Sequence, residues 1–284
     1  MNLQIPKKAA VINSFAGYGR CSLTEALPIL SAMRVQACPV PTAVFSNHTG
    51  FTAFACQDLT AFLPSYLEQW KQLNLTFDGV LCGFLGQAEQ ILSVSSFLSD
   101  QKSRGCQTIL VDPVMGDHGK PYRTITPKHC QKLRSLIPLA DIITPNITEA
   151  CLLTDTPWKD GFWNESELSE LCQRLHKLGP SKIVITGLPC LIHRKEGFEN
   201  YLSCKEPFSQ HACLTPSAGP SRHGTGDIFA SILMADALNG VDFSVSVQKA
   251  ADFISKCISA SKALQIPEPD GVCFENFLSD LADQ

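Results

Sequence analysis

The chain has 284 residues, 44% hydrophobic and 18% charged, with a formal net charge of −4. That length and apolar content suit one α/β domain over residues 1–284 with ample core. The mild acidity excludes the broad basic field that nucleic acid or an anionic membrane would need, and no stretch reaches the roughly 18 apolar residues of a membrane span.

The opening MNLQIPKKAA lacks the apolar core of a signal peptide. Thirteen cysteines are scattered, with no CxxC pair and no Cys/His cluster at zinc spacing. These features predict a cytoplasmic protein whose cysteines are mostly buried as small hydrophobes. Cys21 and Cys82 are singled out only because they fall near candidate sites.

In chain order, residues 9–15 (AAVINSF) read as a buried strand and residues 22–33 as a helix. Ser22 and Glu25, three apart, predict a capping box there. Residues 35–47 read as a proline-interrupted strand region, and 59–73 as a helix that Pro64 starts or kinks. A strand at 77–84, a helix at 88–101 and a strand at 106–114 follow. Next come a helix at 126–140, a strand at 141–146, and helices at 147–154 and near 164–178. After a strand at 181–187, PCLIHRK, NYLSCK and HACLTP read as antiparallel strands near residues 189–215. Helices at 225–238, 243–264 and 273–282 close the chain.

Continuous apolar strands alternating with helices predict a three-layer α/β/α sandwich with a mostly parallel central sheet and antiparallel strands at one edge. In such sheets ligands collect beyond the carboxyl ends of the strands. Ser14, Asn47-His48-Thr49, Gly83, Asp112, Thr144-Asn146 and Thr186-Gly187 all fall there. One polar strand end is ordinary; six together point to a single crevice.

SRHGTGDIFASIL, residues 221–233, carries the sharpest signal. A helix start leaves backbone N–H groups unpaired and partly positive. Gly224 and Gly226 would let a phosphate oxygen approach them, with Ile228, Phe229, Ile232 and Leu233 anchoring the helix. Asp227, in the first turn, stands beside that anion and suits a general base for an attacking hydroxyl. Taken alone, the tetrapeptide also fits an ordinary turn with a dipole-favoured aspartate. No GxxxxGK[ST] loop is present, and GYGRCS (17–22) lacks the third glycine of a dinucleotide fingerprint.

VDPVMGDHGKPY (111–122) and ITPNITEACLL (143–153) supply Asp112, Asp117 and Glu149. As a set they could hold Mg²⁺ directly or through water; singly, Asp117 reads as a turn former and Glu149 as a solvated helix residue. In FSNHTG (45–50), His48 reads as a structural hydrogen-bonder, with Thr49 and Gly50 available to a small polar ligand.

The order of these motifs, Ser14, FSNHTG, DPVMGD, ITPNITEA, VITG and GTGD, resembles the pyridoxal kinases of the ribokinase-like superfamily over about residues 9–260. FSNHTG discriminates; GTGD and TPN…E are shared with hydroxymethylpyrimidine kinases. INSFAGYGRCSLTEALPILSAM is similar to a bacterial branch of vitamin B6 kinases. The resemblance implies ATP-dependent phosphorylation of the 5′-hydroxyl of pyridoxal, pyridoxine or pyridoxamine by a homodimer. It implies Asp227 as base and Gly224, Thr225 and Gly226 as anion hole. Ser14, Asn47, Thr49 and Phe84 would line the vitamer pocket. Asp112, Tyr122, Thr144, Glu149, Thr186, Gly187 and Thr225 would meet ATP, with Tyr122 in a lid at 116–125. Mg²⁺ would lie by Asp117 and Glu149, and K⁺ or Na⁺ by Asp112, Thr144 and Thr186.

Phe84 and the 217–223 segment, SAGPSRH, depart from the family pattern. Phe84 stands where many members carry tyrosine, so the ring contacts that set vitamer preference differ. Arg222 and His223 either touch phosphate or are exposed. The rival readings are a hydroxymethylpyrimidine (phosphate) kinase, which would lack the SNHTG pocket, and a non-catalytic B6-binding protein on the same fold. Asp227 and the acidic set argue against the latter.

Overall fold

The computed structural model describes residues 5–122 and 125–282. The N-terminal half runs β1 (Lys7–Tyr18), α1 (Leu23–Ala32), β2 (Val35–Asn47), β3 (Cys56–Asp58), α2 (Leu63–Gln72), β4 (Gly79–Cys82), α3 (Ala88–Ser103) and β5 (Thr108–Val111). A two-stranded ribbon of β6 (Gly116–Asp117) and β7 (Lys120–Pro121) stands apart from the main sheet. Then come α4 (Pro127–Leu133), β8 (Ile142–Ile143), α5 (Ile147–Thr154), α6 (Glu165–Lys177), β9 (Lys182–Ile192), β10 (Lys195–Cys204) and β11 (Ser209–Pro216). Three helices end the chain: α7 (Thr225–Asn239), α8 (Phe243–Ala263) and α9 (Leu278–Ala282).

The main sheet has nine strands in the order β11-β10-β9-β8-β5-β4-β1-β2-β3. Pairing is parallel from β2 through β9 and antiparallel beyond both. Strand periodicity of two explains the three layers. Ala10 and Ile12 face one core with Ile91, Leu98 and Leu171; Ala9 and Val11 face the other with Leu30, Ile232 and Val247. Helices α2 to α6 cover the first face, and α1, α7, α8 and α9 the second.

Several expectations change. Antiparallel pairing occurs at both edges, because β3 folds back on β2 through Phe45 and Cys56. PCLIHRK is largely the far end of β9, not a separate strand. The helix expected over 126–140 stops at Leu133 and becomes a 3-10 turn, Arg134–Leu139, around Pro138, which has no amide to donate. The helix expected over 273–282 shrinks to Leu278–Ala282 after a 3-10 turn at Glu275–Phe277. Pro64 occupies the first turn of α2, where its missing N–H costs nothing.

The Ser22/Glu25 capping box does not form. Ser22 has φ 56°; its Oγ accepts from Ser14 and caps nothing, and its amide, the donor Glu25 would have accepted, goes to Asp227. Capping boxes form where nothing competes for the donors: Asn146 with Glu149 on α5, and Asn164 with Glu167 on α6.

Candidate active site

The crevice lies where β1, β4, β5 and β8 end. β1 carries Asn13 and Ser14 at a register shift between Asn13 and Phe15. Gly83 follows β4; its amide donates to the Ile12 carbonyl (2.8 Å), and a side chain there would strike Asn13 Nδ2 at 2.6 Å. Asp112 follows β5 and Thr144 follows β8. Against these strand ends sits the start of α7, with Gly224 at its N-cap in the left-handed region, φ 90°. Glycine is required there on two counts: the φ, and the Glu25 carboxyl and Arg20 carbonyl that fill the side-chain position.

Asp227 is held from two sides. Asn13 Nδ2 donates to Oδ1 (2.9 Å) and the Ser22 amide donates to Oδ2 (2.8 Å). Asn13 is itself fixed, because its Oδ1 accepts from the amides of Ser14 (2.8 Å) and Phe84 (3.2 Å). Burial raises the Asp227 carboxyl above the usual aspartate range, and the donors at Ser22 and Asn13 pull it back. A partly raised carboxylate locked in one orientation suits proton abstraction.

Asp112 faces the same helix start; a Cβ on Gly226 would lie 3.8 Å from its Oδ2. Its Oδ1 accepts from Thr144 Oγ1 (3.0 Å). Burial, then the charge of Asp227, raise it to about 7, against the Thr144 hydrogen bond. Two acids therefore flank the exposed amides at Gly226, an arrangement that favours a bound cation between them and a phosphate. The small cleft behind them is lined by Asn13, Gly83, Asp112, Asp227, Ala230 and Ser231.

Glu149 is buried and has both oxygens engaged. Oε1 accepts from the Met115 amide (3.0 Å) and Oε2 from the Asn146 amide (2.9 Å). Burial, then Asp112, still push its carboxyl well above the ordinary range. It ties the ribbon to α5, a link strengthened by Asn146 Nδ2 donating to the Gly116 carbonyl (2.8 Å) and the Gly119 amide donating to Thr148 Oγ1 (2.9 Å). Asp117 is exposed on the ribbon and accepts from the His118 amide (2.7 Å). Among the described residues no three His, Cys, Asp or Glu side chains converge as a metal cage. Tyr122, 42% exposed, stands above this acidic group; burial, then Glu149, Asp117, Asp112 and Asp227, raise its hydroxyl. Within the lid stretch 116–125, positions 123 and 124 lie outside the described residues.

Thr186 pairs across from Asn146, and its amide donates to the Pro145 carbonyl (2.9 Å). Gly187, φ 68°, has open space where a side chain would lie, and its amide donates to Asn200 Oδ1 (3.1 Å). Thr225 is half-buried, its hydroxyl 3.4 Å from the Arg222 carbonyl.

At the opposite end, Ser14 is buried and donates to Ser22 Oγ (2.9 Å), leaving its oxygen as an acceptor. Asn47 braces a loop: its Oδ1 accepts from Ser46 Oγ (2.7 Å) and its Nδ2 donates to the Ala53 carbonyl (2.8 Å). Thr49 is exposed at the following turn. Phe84 meets Phe45 edge-on at 6.2 Å, and Phe45 meets Phe54 at 5.7 Å, forming an aromatic wall. His48 is a buried hydrogen-bonder, with Nε2 on the Pro269 carbonyl (2.7 Å) and Nδ1 accepting from Gly50 (3.1 Å). His223 stacks on it at 4.4 Å, so burial and His48 lower its imidazole.

Arg222 meets neither sequence-based alternative. It is buried, and its guanidinium donates to the carbonyls of Pro267, Gly271 and Ile266 at 3.0, 3.1 and 2.8 Å. Asn13 and Ser22, which orient Asp227, are the candidate site positions that sequence reasoning missed. The only cue for Asn13 was a carboxamide inside the apolar run AAVINSF. A surface cavity of about 540 Å³ lined by Arg134, Asp155, Glu170, Arg174 and Lys177 is a separate feature. Its residues include none of the side chains around Asp227.

Residues 27–271 match the sequence profile of the family described as phosphomethylpyrimidine kinase. A pyridoxal kinase of Arabidopsis thaliana is 33% identical over 206 residues, 69% of this chain and 63% of that one. A hydroxymethylpyrimidine/phosphomethylpyrimidine kinase of Haemophilus influenzae is 35% identical over 182 residues, 62% of this chain and 63% of that one. Each match thus spans slightly less than two thirds of the relative. A solved structure of a Bacteroides thetaiotaomicron protein, described as a candidate phosphomethylpyrimidine kinase in a form with pyridoxal, superposes with a TM-score of 0.91. Identity there is 34%, and the match covers 97% of this chain and 96% of that one.

Proposed function

The chain belongs to the phosphomethylpyrimidine kinase family, and from that premise we propose that it transfers the γ-phosphoryl group of ATP to the 5′-hydroxyl of a vitamin B6 vitamer, in pyridoxal 5′-phosphate salvage. The observation that carries this reading is Asp227, oriented by Asn13 and Ser22 at a glycine-lined helix start. The pyridoxal in the Bacteroides relative's structure supports the substrate class.

Asp227 takes the proton from the vitamer hydroxyl as its oxygen attacks phosphorus. The amides at Gly224, Thr225 and Gly226 stabilise charge on the migrating phosphoryl group. The aromatic wall of Phe45 and Phe84 packs the pyridine ring, and Ser14 and Thr49 address its polar atoms. Thr186 and Gly187 lie midway along β9 and not at the strand end the sequence predicts, and Gly187 offers the nucleotide open space where a side chain would lie. Tyr122 and the ribbon cover the phosphates and exclude water.

The donors fit a Mg²⁺ held mainly by phosphates and water, because such ions take only one or two carboxylates. Asp112 has an oxygen directed at Gly226, while Glu149 and exposed Asp117 fit contact through water. Asp112, Thr144 and Thr186 are the group for a monovalent ion. When bound, these cations neutralise the triphosphate. A homodimer belongs to the same reading and is checked by light scattering.

The second reading is a hydroxymethylpyrimidine (phosphate) kinase, which the family match and the Haemophilus relative favour. Purified protein with Mg-ATP, offered pyridoxal, pyridoxine, pyridoxamine and hydroxymethylpyrimidine, separates them. Vitamer turnover that falls by orders of magnitude in Asp227→Asn, with vitamer binding intact, is the expected result. Turnover of the pyrimidine alone overturns the vitamin B6 assignment.

A further inference from the structure

Glu25 lies in the first turn of α1, yet its exposure is 0%. Neither carboxyl oxygen has a hydrogen-bond partner. An ionised carboxylate in that condition is heavily penalised, and the neutral acid much less so. Its carboxyl fills the position a Gly224 side chain would take, directly under the turn that opens α7.

The charged and titratable groups facing it are Asp227 on α7, Arg20 and Cys21 ahead of α1, Glu275 before α9, and Cys257 on α8. Arg20 does not pair with it, because its guanidinium donates to Glu275 (2.6 Å) and to the Asp270 carbonyl (3.1 Å). The starts of α1 and α7 thus exchange acids. Asp227 of α7 accepts the Ser22 amide ahead of α1, and Glu25 of α1 rests against Gly224 ahead of α7. Two acids so placed repel when both are charged, and the charge settles on the one with donors. Asp227 has two donors and Glu25 has none.

We infer that Glu25 is a positioning residue for phosphoryl transfer: as a neutral acid beneath the Gly224 turn it leaves Asp227 the ionised carboxyl at the helix start, and its ionisation sets an alkaline limit on turnover. This rests on reading Asp227 as the base. Burial first, then the charge of Asp227, push the Glu25 carboxyl well above its ordinary range, which agrees with the geometry. Once ionised, it places a second negative charge beside the amides that bind phosphate and weakens their hold.

The test is the pH profile of kcat/KM for Mg-ATP with pyridoxal, parent against Glu25→Gln. The amide keeps the shape of the neutral acid and cannot ionise. The ratio of variant to parent is expected to rise about tenfold per pH unit beyond the alkaline limb. An identical alkaline limb in the variant overturns the inference. Should the variant not fold, the parent labelled with carboxyl-¹³C glutamate gives the same answer by NMR. A glutamate signal still protonated at neutral pH, whose midpoint drops in Asp227→Asn, supports the inference; no such signal overturns it. Turnover retained in Asp227→Asn refutes the base reading instead, so the two failures are told apart.

Discussion

Replacing Asn13 with alanine removes the donor at 2.9 Å from Asp227 Oδ1 and leaves the Ser22 amide as the remaining one. A hydrogen bond to a charged group is worth about 1.5–3 kcal/mol. Here that free energy is extra work needed to ionise Asp227, since Asn13 holds its carboxyl down. The acid limb of kcat/KM therefore moves to higher pH. Below the limb the variant runs roughly 10- to 150-fold slower than the parent; above it the two profiles converge. The same change orphans the amides of Ser14 and Phe84, so a thermal melt should show lost stability. The assay is kcat/KM for the vitamer from acid to mildly alkaline pH, on protein confirmed as folded. A limb in the parent's position, or a uniform loss at every pH, refutes the argument that Asn13 tunes the base.

Gly224→Ala should lower kcat by about 100-fold or more, because a methyl group there meets Glu25 and the Arg20 carbonyl and displaces the anion-binding amides; steady-state kinetics check it. Arg222→Met should cost roughly 3–5 kcal/mol in urea unfolding, because three carbonyls lose a buried guanidinium. Cys56, exposed on β3, should react first with a thiol reagent in the native protein, followed by mass spectrometry. Cys82, pushed up by burial to about 12, and Cys21, raised further by burial and by Asp227, should stay silent. Glu25 binds its proton more tightly folded than unfolded, so the stability it contributes is present below the ordinary glutamate range and lost as pH rises toward its folded value. Glu25→Gln should accordingly gain melting temperature relative to the parent between about pH 5 and pH 8, and a difference that stays constant with pH would show that Glu25 is ionised throughout.

The layers of the fold were legible because β1, β4, β5 and β9 are built on continuous apolar runs, though β4 and β5 are only four residues each, and the helices between them carry apolar stripes. Strand ends were legible for the same reason, and they led to Asp112 and Thr144. Local signals failed where a distant partner outcompeted a nearby one. The Ser22 amide and Glu25 fit a capping box until α7 brings Asp227 to the amide and Gly224 to the acid. Glu149 fits a solvated helix residue until Met115 and Asn146 engage both its oxygens. Asn13 went unremarked inside the strand AAVINSF, because its partner, Asp227, arrives from another part of the sequence. β3, three residues long, had too little periodicity to announce a second antiparallel edge.

The bond from Asn13 to Asp227 joins positions 214 residues apart. On the ribosome, β1 emerges early and α7 is made only in the last quarter of synthesis. Domains are completed in step with emergence from the N-terminus. A nascent or truncated chain ending before α7 therefore lacks Asp227, the glycine-lined helix start beside it and the apolar face that α7 buries against the sheet. The candidate site is therefore assembled only when translation is nearly finished.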